Sequence, residues 1–235
     1  AAGREVRAES IDVELVKDWI RCCENWHGQA CDLGDHTPLD HCQDLMVIDV
    51  VDGRLVDVPC SSRYMALSYV WGGISSLQTL KTNLKQHQQP GGLVAQSAAL
   101  PKTISDAIKL TSSIGERYLW VDALCIVQDD LDGKLSLINQ MDKIYQNAVC
   151  TIVAAFGTDS SAGLPGVTSP RNSAQQTLDY GKSRRIAISQ RPFEMFLGRE
   201  GHSGCVWNKR AWTHQERLLS GRKLVFLEDG VHFNC

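Results

Sequence analysis

At 235 residues and 43% hydrophobic, the chain is long enough for one sizeable core, or a core with an appendage. Its formal net charge of −3, with 24 basic against 27 acidic residues and no basic block, excludes the footprint of a nucleic-acid binder. The densest positive spot, KSRR at 182–185, reads as a solvated loop, and no apolar run approaches the ~20 residues of a membrane span.

The first ten residues, AAGREVRAES, form a polar lead-in with no signal-peptide pattern. Residues 11–30 have helical spacing through Ile11, Leu15, Trp19, Cys22 or Cys23, and Trp26, with Ser10 as the expected cap. After a polar stretch, LMVIDVVDGRLVDVP alternates around Asp52-Gly53, a hairpin signal. Residues 1–60 are therefore expected to be an N-terminal extension packed on a main domain at 61–235.

That domain opens with the apolar strand YMALSYVWGG, followed by a polar stretch at 74–99 that reads as a loop with room for a short helix. A helix is well marked at 101–114, with Pro101 in its first turn, Ile104, Ala107, Ile108 and Ile114 on one face, and Gly115 as its stop. RYLWVDALCIV reads as a strand buried on both faces, expected over 118–127. A second amphipathic helix runs through Leu137, Met141, Ile144, Tyr145 and Ala148, followed by a strand at 149–156. A long Gly/Ser/Pro-rich loop at 157–185, a short strand RIAISQ, a helix in RAWTHQERLLSG and a strand in KLVFLED complete the order. LVFLEDGVHFNC still reads as strand at Cys235, which predicts a longer protein.

Alternation of apolar strands with amphipathic helices predicts an α/β domain with a largely parallel sheet. Ligands of such sheets bind beyond the carboxyl ends of the strands. Those ends are Ser68 to Gly73, Gln128 to Asp132 and Phe156 to Asp159. The chain has nine cysteines, several within apolar runs as Cys125 and Cys150 are, which predicts a reduced, cytoplasmic protein. Cys23, His27 and Cys31 fall at i, i+4 and i+8, with His41 or Cys42 able to complete a tetrahedral zinc set. The spacing is not that of a standard zinc finger, and buried thiols beside a surface histidine are the plainer alternative.

Three blocks in order carry a family resemblance: YMALSYVWG; LPKTISDAIKLTSSIGERYLWVDALCIVQDD running on to QMDKIYQNAVCTIVAAFGTDSSAGLPG; and RAWTHQERLLSGRKLVF. Together, over roughly residues 60–235, they resemble the heterokaryon-incompatibility (HET) domain of filamentous fungi. The resemblance implies a self/non-self recognition effector that triggers programmed cell death. It also implies distant kinship with TIR domains of flavodoxin-like fold, some of which cleave NAD with the glutamate of a W-x-x-x-E motif. Trp212 and Glu216 form such a motif here.

By that resemblance Glu216 is the catalytic carboxylate, facing a cleft between the strand ends, and NAD is a substrate with no cofactor required. Trp212 or Trp71 would stack on a flat base; Ser68, Gly72 and Gly73 would approach ribose or phosphate; Asp122, Gln128 and Asp129 would bound the neighbouring edge. Activation would involve self-association and an upstream recognition protein. The alternatives stay open: Trp212 packing with Leu219, Glu216 and Arg217 as a solvated pair, Asp122 as a structural acid, and the whole chain as a non-catalytic TIR-like oligomerisation module.

Overall fold

The computed structural model describes residues 6–27, 31, 44–73, 76–171, 175, 177–180, 184–187, 206–207 and 219–235. Helix α1 (Val13–Trp26) buries Val16, Ile20 and Cys23, the i, i+4, i+7 stripe that one helix face presents. Its cap is Asp12, not Ser10: the Asp12 carboxylate accepts the Leu15 amide at 3.1 Å. The inward stripe is also rotated from the expected one, because Trp26 is 85% exposed.

Strands β1 (Asp44–Asp49) and β2 (Arg54–Pro59) form the antiparallel hairpin around Asp52-Gly53. β3 (Met65–Ser68) is buried at every position, as a strand covered on both faces must be. The segment expected as a loop with room for a short helix holds a short helix, α2 (Leu84–His87), and a 3₁₀ stretch (Val94–Ala99). Helix α3 (Lys102–Ile114) buries Ile104, Ala107, Leu110 and Ile114 and stops at Gly115, whose φ of +89° is the left-handed cap that favours glycine.

β4 spans only Tyr118–Trp120, shorter than the strand expected to reach residue 127. Asp122–Cys125 turns instead into a short helix, α4, closed by Leu124 and Cys125 amides on the Val121 carbonyl at 3.0 and 2.7 Å. An apolar run of this length has no period that separates a buried strand from a buried helical turn. The single helix expected over 135–148 is two, α5 (Leu131–Ile138) and α6 (Met141–Asn147). The break falls where the Gln140 side-chain amide bonds back to the Ser136 carbonyl at 3.2 Å, offering the backbone a local alternative to a continuous helix.

β5 (Thr151–Ala154) and β8 (Lys223–Phe226) are buried at every position, and β8 turns back through Asp229-Gly230 into β9 (Val231–Asn234). β6 (Thr177–Tyr180), inside the expected long loop, pairs antiparallel with β7 (Arg184–Ala187), which overlaps the short strand expected at RIAISQ.

The seven-stranded sheet runs β2-β1-β4-β3-β5-β8-β9. β4, β3, β5 and β8 are mutually parallel at its centre, and both margins are antiparallel. In chain order the parallel strands lie 2-1-3-4, so the connection direction reverses between β3 and β5. Period-2 alternation sends Leu67, Ile152, Leu224 and Phe226 to one face, into the main core with Ile104, Ile144 and Trp120. It sends Val153 and Val225 to the other, where they meet Val70, Ala155 and Trp207. Trp120 packs edge-on to Tyr145 at 5.5 Å, and the Tyr145 hydroxyl donates to the Leu67 carbonyl at 3.2 Å, seating α6 over β3. Among the described residues no helix is long and apolar enough to cross a membrane.

Candidate functional site

The sheet order places the reversal beyond Ser68 of β3 and Ala154 of β5, the position where open α/β sheets admit ligands. Past β3, the Trp71 indole N–H donates to Asp122 Oδ2 at 2.8 Å, tying the exit of β3 to the start of α4. Asp122 Oδ1 also accepts the Ala123 amide at 2.7 Å. The Gln128 side-chain amide donates to the Asp122 and Ile126 carbonyls at 2.9 and 3.0 Å, closing the turn after α4. The Trp71 carbonyl accepts the Ser160 hydroxyl at 3.1 Å, joining this edge to the loop after β5.

Gly72 has a φ of +74°, and a Cβ there would lie 2.2 Å from the Asp159 Cβ. Both the left-handed backbone and the contact demand glycine. Gly73 has no heavy atom within 4 Å of such a Cβ among the described residues. The Asp159 carboxylate accepts the Ser161 amide and hydroxyl at 2.8 and 2.6 Å, and these bonds hold its pKa below the usual value.

Ser68, Trp71, Gly72, Asp122 and Gln128 thus share one edge of the sheet. Asp129 stands on the adjoining segment, accepting the Lys81 amide at 2.8 Å. Trp212 and Glu216 lie outside the described residues. Ser68 is fully buried, and its hydroxyl accepts the Trp207 indole N–H at 2.8 Å. Trp207 was not singled out by sequence reasoning; the apolar pair Val206-Trp207 within a polar stretch was the available signal. After the same stretch, Ser220 shares a 2.8 Å hydroxyl–hydroxyl bond with Thr151 at the start of β5.

A second constellation lies at the end of α1. Cys23 is buried on α1, and His27 caps the helix with its amide on the Cys23 carbonyl at 3.0 Å. Cys31 follows, and Cys235 arrives directly after β9. The ligand atoms of all four lie within 4.8 Å of one another. His27 Nδ1 is 3.5 Å from Cys31 Sγ and 3.4 Å from Cys235 Sγ. Burial, then the neighbouring Cys23, raises the Cys31 thiol pKa and pushes that of Cys235 up to about 12. Three of the residues expected to hold zinc are therefore together, and Cys235 is the fourth; His41 and Cys42 lie outside the described residues.

An open polar groove of about 490 Å³ lies at the other end of the sheet, between Asp57 and Arg54 on β2, Gln88, and Arg117 and Tyr118 at the start of β4. Its rim includes the buried Asp49 carboxylate, which accepts Arg117 Nε and Nη2 at 2.9 and 2.8 Å.

The parallel strands ordered 2-1-3-4 at the centre of the sheet define an α/β protein, a class whose fold does not by itself fix the chemistry. A family model described as heterokaryon incompatibility protein (HET) matches residues 64–216, more than half of the sequence, and the chain belongs to that family. The match starts at the entry to β3 and ends on Glu216. No curated protein and no solved structure matches.

Proposed function

We propose that this chain is a cell-death effector of heterokaryon incompatibility that acts in the cytoplasm by cleaving the nicotinamide–ribose bond of NAD. The observation that carries the reading is the HET match itself, which runs through the W-x-x-x-E of Trp212 and Glu216 to its last residue. The 2-1-3-4 order of the parallel strands supports a flavodoxin-like, TIR-like reading of the fold. Residues 61–235 are read as the HET domain and 1–60 as its extension, contributing α1 and the β1–β2 margin of the sheet.

In the proposed reaction the C1′–N bond breaks and its electron pair stays with nicotinamide, which leaves as a neutral base. Positive charge builds on the ribose as an oxocarbenium ion, which a fixed Glu216 carboxylate stabilises. Water adds to C1′ and releases one proton, giving ADP-ribose. Trp212 and Trp71 supply aromatic walls, and the backbone at Gly72 and Gly73 admits ribose or phosphate. Self-association, driven by an upstream recognition protein, is the proposed trigger.

Concentrated protein incubated with NAD should release nicotinamide. Glu216→Gln keeps size and hydrogen bonding but removes the charge, and should cost on the order of 10²–10³ in rate. Circular dichroism should be unchanged. If a folded Glu216→Gln protein kills cells undiminished, the enzyme reading is wrong and a non-catalytic oligomerisation module takes its place.

A further inference from the structure

We propose that Cys23, His27, Cys31 and Cys235 form a structural zinc site that fastens α1 to the strand β9. With zinc bonds of about 2.3 Å to sulfur and about 2.0–2.1 Å to nitrogen, a tetrahedral site has sulfur–nitrogen edges of about 3.5 Å. The two sulfur–nitrogen separations here are 3.5 and 3.4 Å. All four donors lie within 4.8 Å, so a common centre needs only small side-chain adjustments.

The donor set selects the metal. Three thiolates and one imidazole are soft and borderline ligands that suit zinc and disfavour magnesium or calcium. Four protein ligands leave no open position, so the site is structural. Three thiolates, a neutral imidazole and a divalent ion sum to one negative charge. The buried Arg222 guanidinium offsets it, donating from Nε to Cys23 Sγ at 3.1 Å, as outer partners of metal thiolates do.

The placement explains what the site is for. Cys235 and His27 are 208 residues apart in sequence, yet their side chains touch. Trp19 of α1 stacks on Phe233 of β9, so the two elements are already neighbours without metal. A cross-link closing so long a loop restricts the unfolded chain strongly. The site is independent of the proposed NAD chemistry.

The test uses the full chain, purified under reducing conditions from zinc-containing medium. Elemental analysis should find about one zinc per chain. Cobalt(II) added to chelator-treated protein should give the visible d–d bands and the thiolate charge-transfer band of tetrahedral cobalt. Cys31→Ser and Cys235→Ser, away from the core, should each lose the metal and the cobalt spectrum while keeping wild-type circular dichroism. Chelator should lower the melting temperature of the wild type and leave the variants unmoved. The wild-type titration stands even if a variant fails to fold. Folded wild-type protein that takes up neither zinc nor cobalt overturns the proposal, as does Cys235→Ser at full zinc occupancy or a disulfide among the three cysteines in the reduced preparation.

Discussion

Trp19 stacks on Phe233 with ring centroids 5.9 Å apart and planes 18° from parallel. This contact docks the first helix on the last strand. Both rings are partly buried and pack against the main core, to which Val16 and Ile20 of the same helix belong. Removing a half-buried indole costs less than the 3–5 kcal/mol of a fully buried one, so Trp19→Ala should destabilise the fold by about 2 kcal/mol in urea unfolding. Combined with Phe233→Ala, the loss should fall short of additive by about 0.5–1.5 kcal/mol, the coupling of a stacked pair. Strict additivity would mean that the rings share area without interacting.

Arg222 reports on the cluster without being a ligand. Its Nε reaches Cys23 Sγ at 3.1 Å, and its Nη1 donates to the Val149 carbonyl at 3.4 Å. Arg222→Lys keeps a positive charge but loses the planar fork that serves both partners. Zinc affinity, measured by competition with a chromophoric chelator, should fall about 10–100-fold, as expected for an outer-shell partner. An unchanged affinity would show that the charge alone suffices.

Three groups, His87, His232 and Asp49, set the acid response. Burial lowers the His87 pKa from its usual 6.5, a contact with Gln96 offsetting part of this, so the fold favours the neutral ring. The stability it contributes is complete above 6.5 and is lost as pH falls below that value through the folded pKa. His232 is lowered by burial too, and adds to this step. Burial raises the Asp49 pKa, but the bonds from Arg117 and from the Val51 and Asp52 amides outweigh it and leave it below 3.8. Its contribution is present above 3.8 and is lost as pH falls through the lower folded value. Urea titrations across pH should therefore show a first decline starting near 6.5 and a second below 3.8. Asp49→Asn should cost about 1–2 kcal/mol at neutral pH, and that deficit should shrink in the second range.

The elements legible in the sequence carried local and mutually consistent signals. Helix α3 has its apolar face, Pro101 at the start and Gly115 at the stop; β3 and β5 are apolar runs bounded by polar residues. The strand expectation overextends β4 because Val121 to Cys125 suits a strand or a helical turn equally, and only the Leu124 and Cys125 amides bonding to the Val121 carbonyl decide. Cys23, His27 and Cys31 were legible from their i, i+4, i+8 spacing, although α1 ends at Trp26 and Cys31 lies beyond it. Cys235 was not, since nothing local ties it to α1; the β8–β9 hairpin and the Phe233 stack bring it there. Trp207 escaped for the same reason, its partner Ser68 being 139 residues away.

Gly72 and Gly73 separate framework from substrate contact at the proposed site. Gly72→Ala puts a Cβ at 2.2 Å from the Asp159 Cβ and 3.1 Å from its Cα, on a backbone with φ of +74°. The left-handed conformation alone costs about 1–2 kcal/mol, and displacing the Asp159 loop adds to it. This variant should unfold at lower urea and lose nicotinamide release together, because the Trp71–Ser160 link moves with it. Gly73→Ala meets open space among the described residues and should leave stability within ~0.5 kcal/mol of wild type. If ribose or phosphate approaches the backbone here, the added methyl obstructs ground and transition states alike. KM for NAD should then rise with kcat little changed. A stable Gly73→Ala protein that cleaves NAD with unaltered KM would remove Gly73 from the substrate surface. It would leave Trp71 and Asp122, joined by their 2.8 Å bond, as the boundary of the edge.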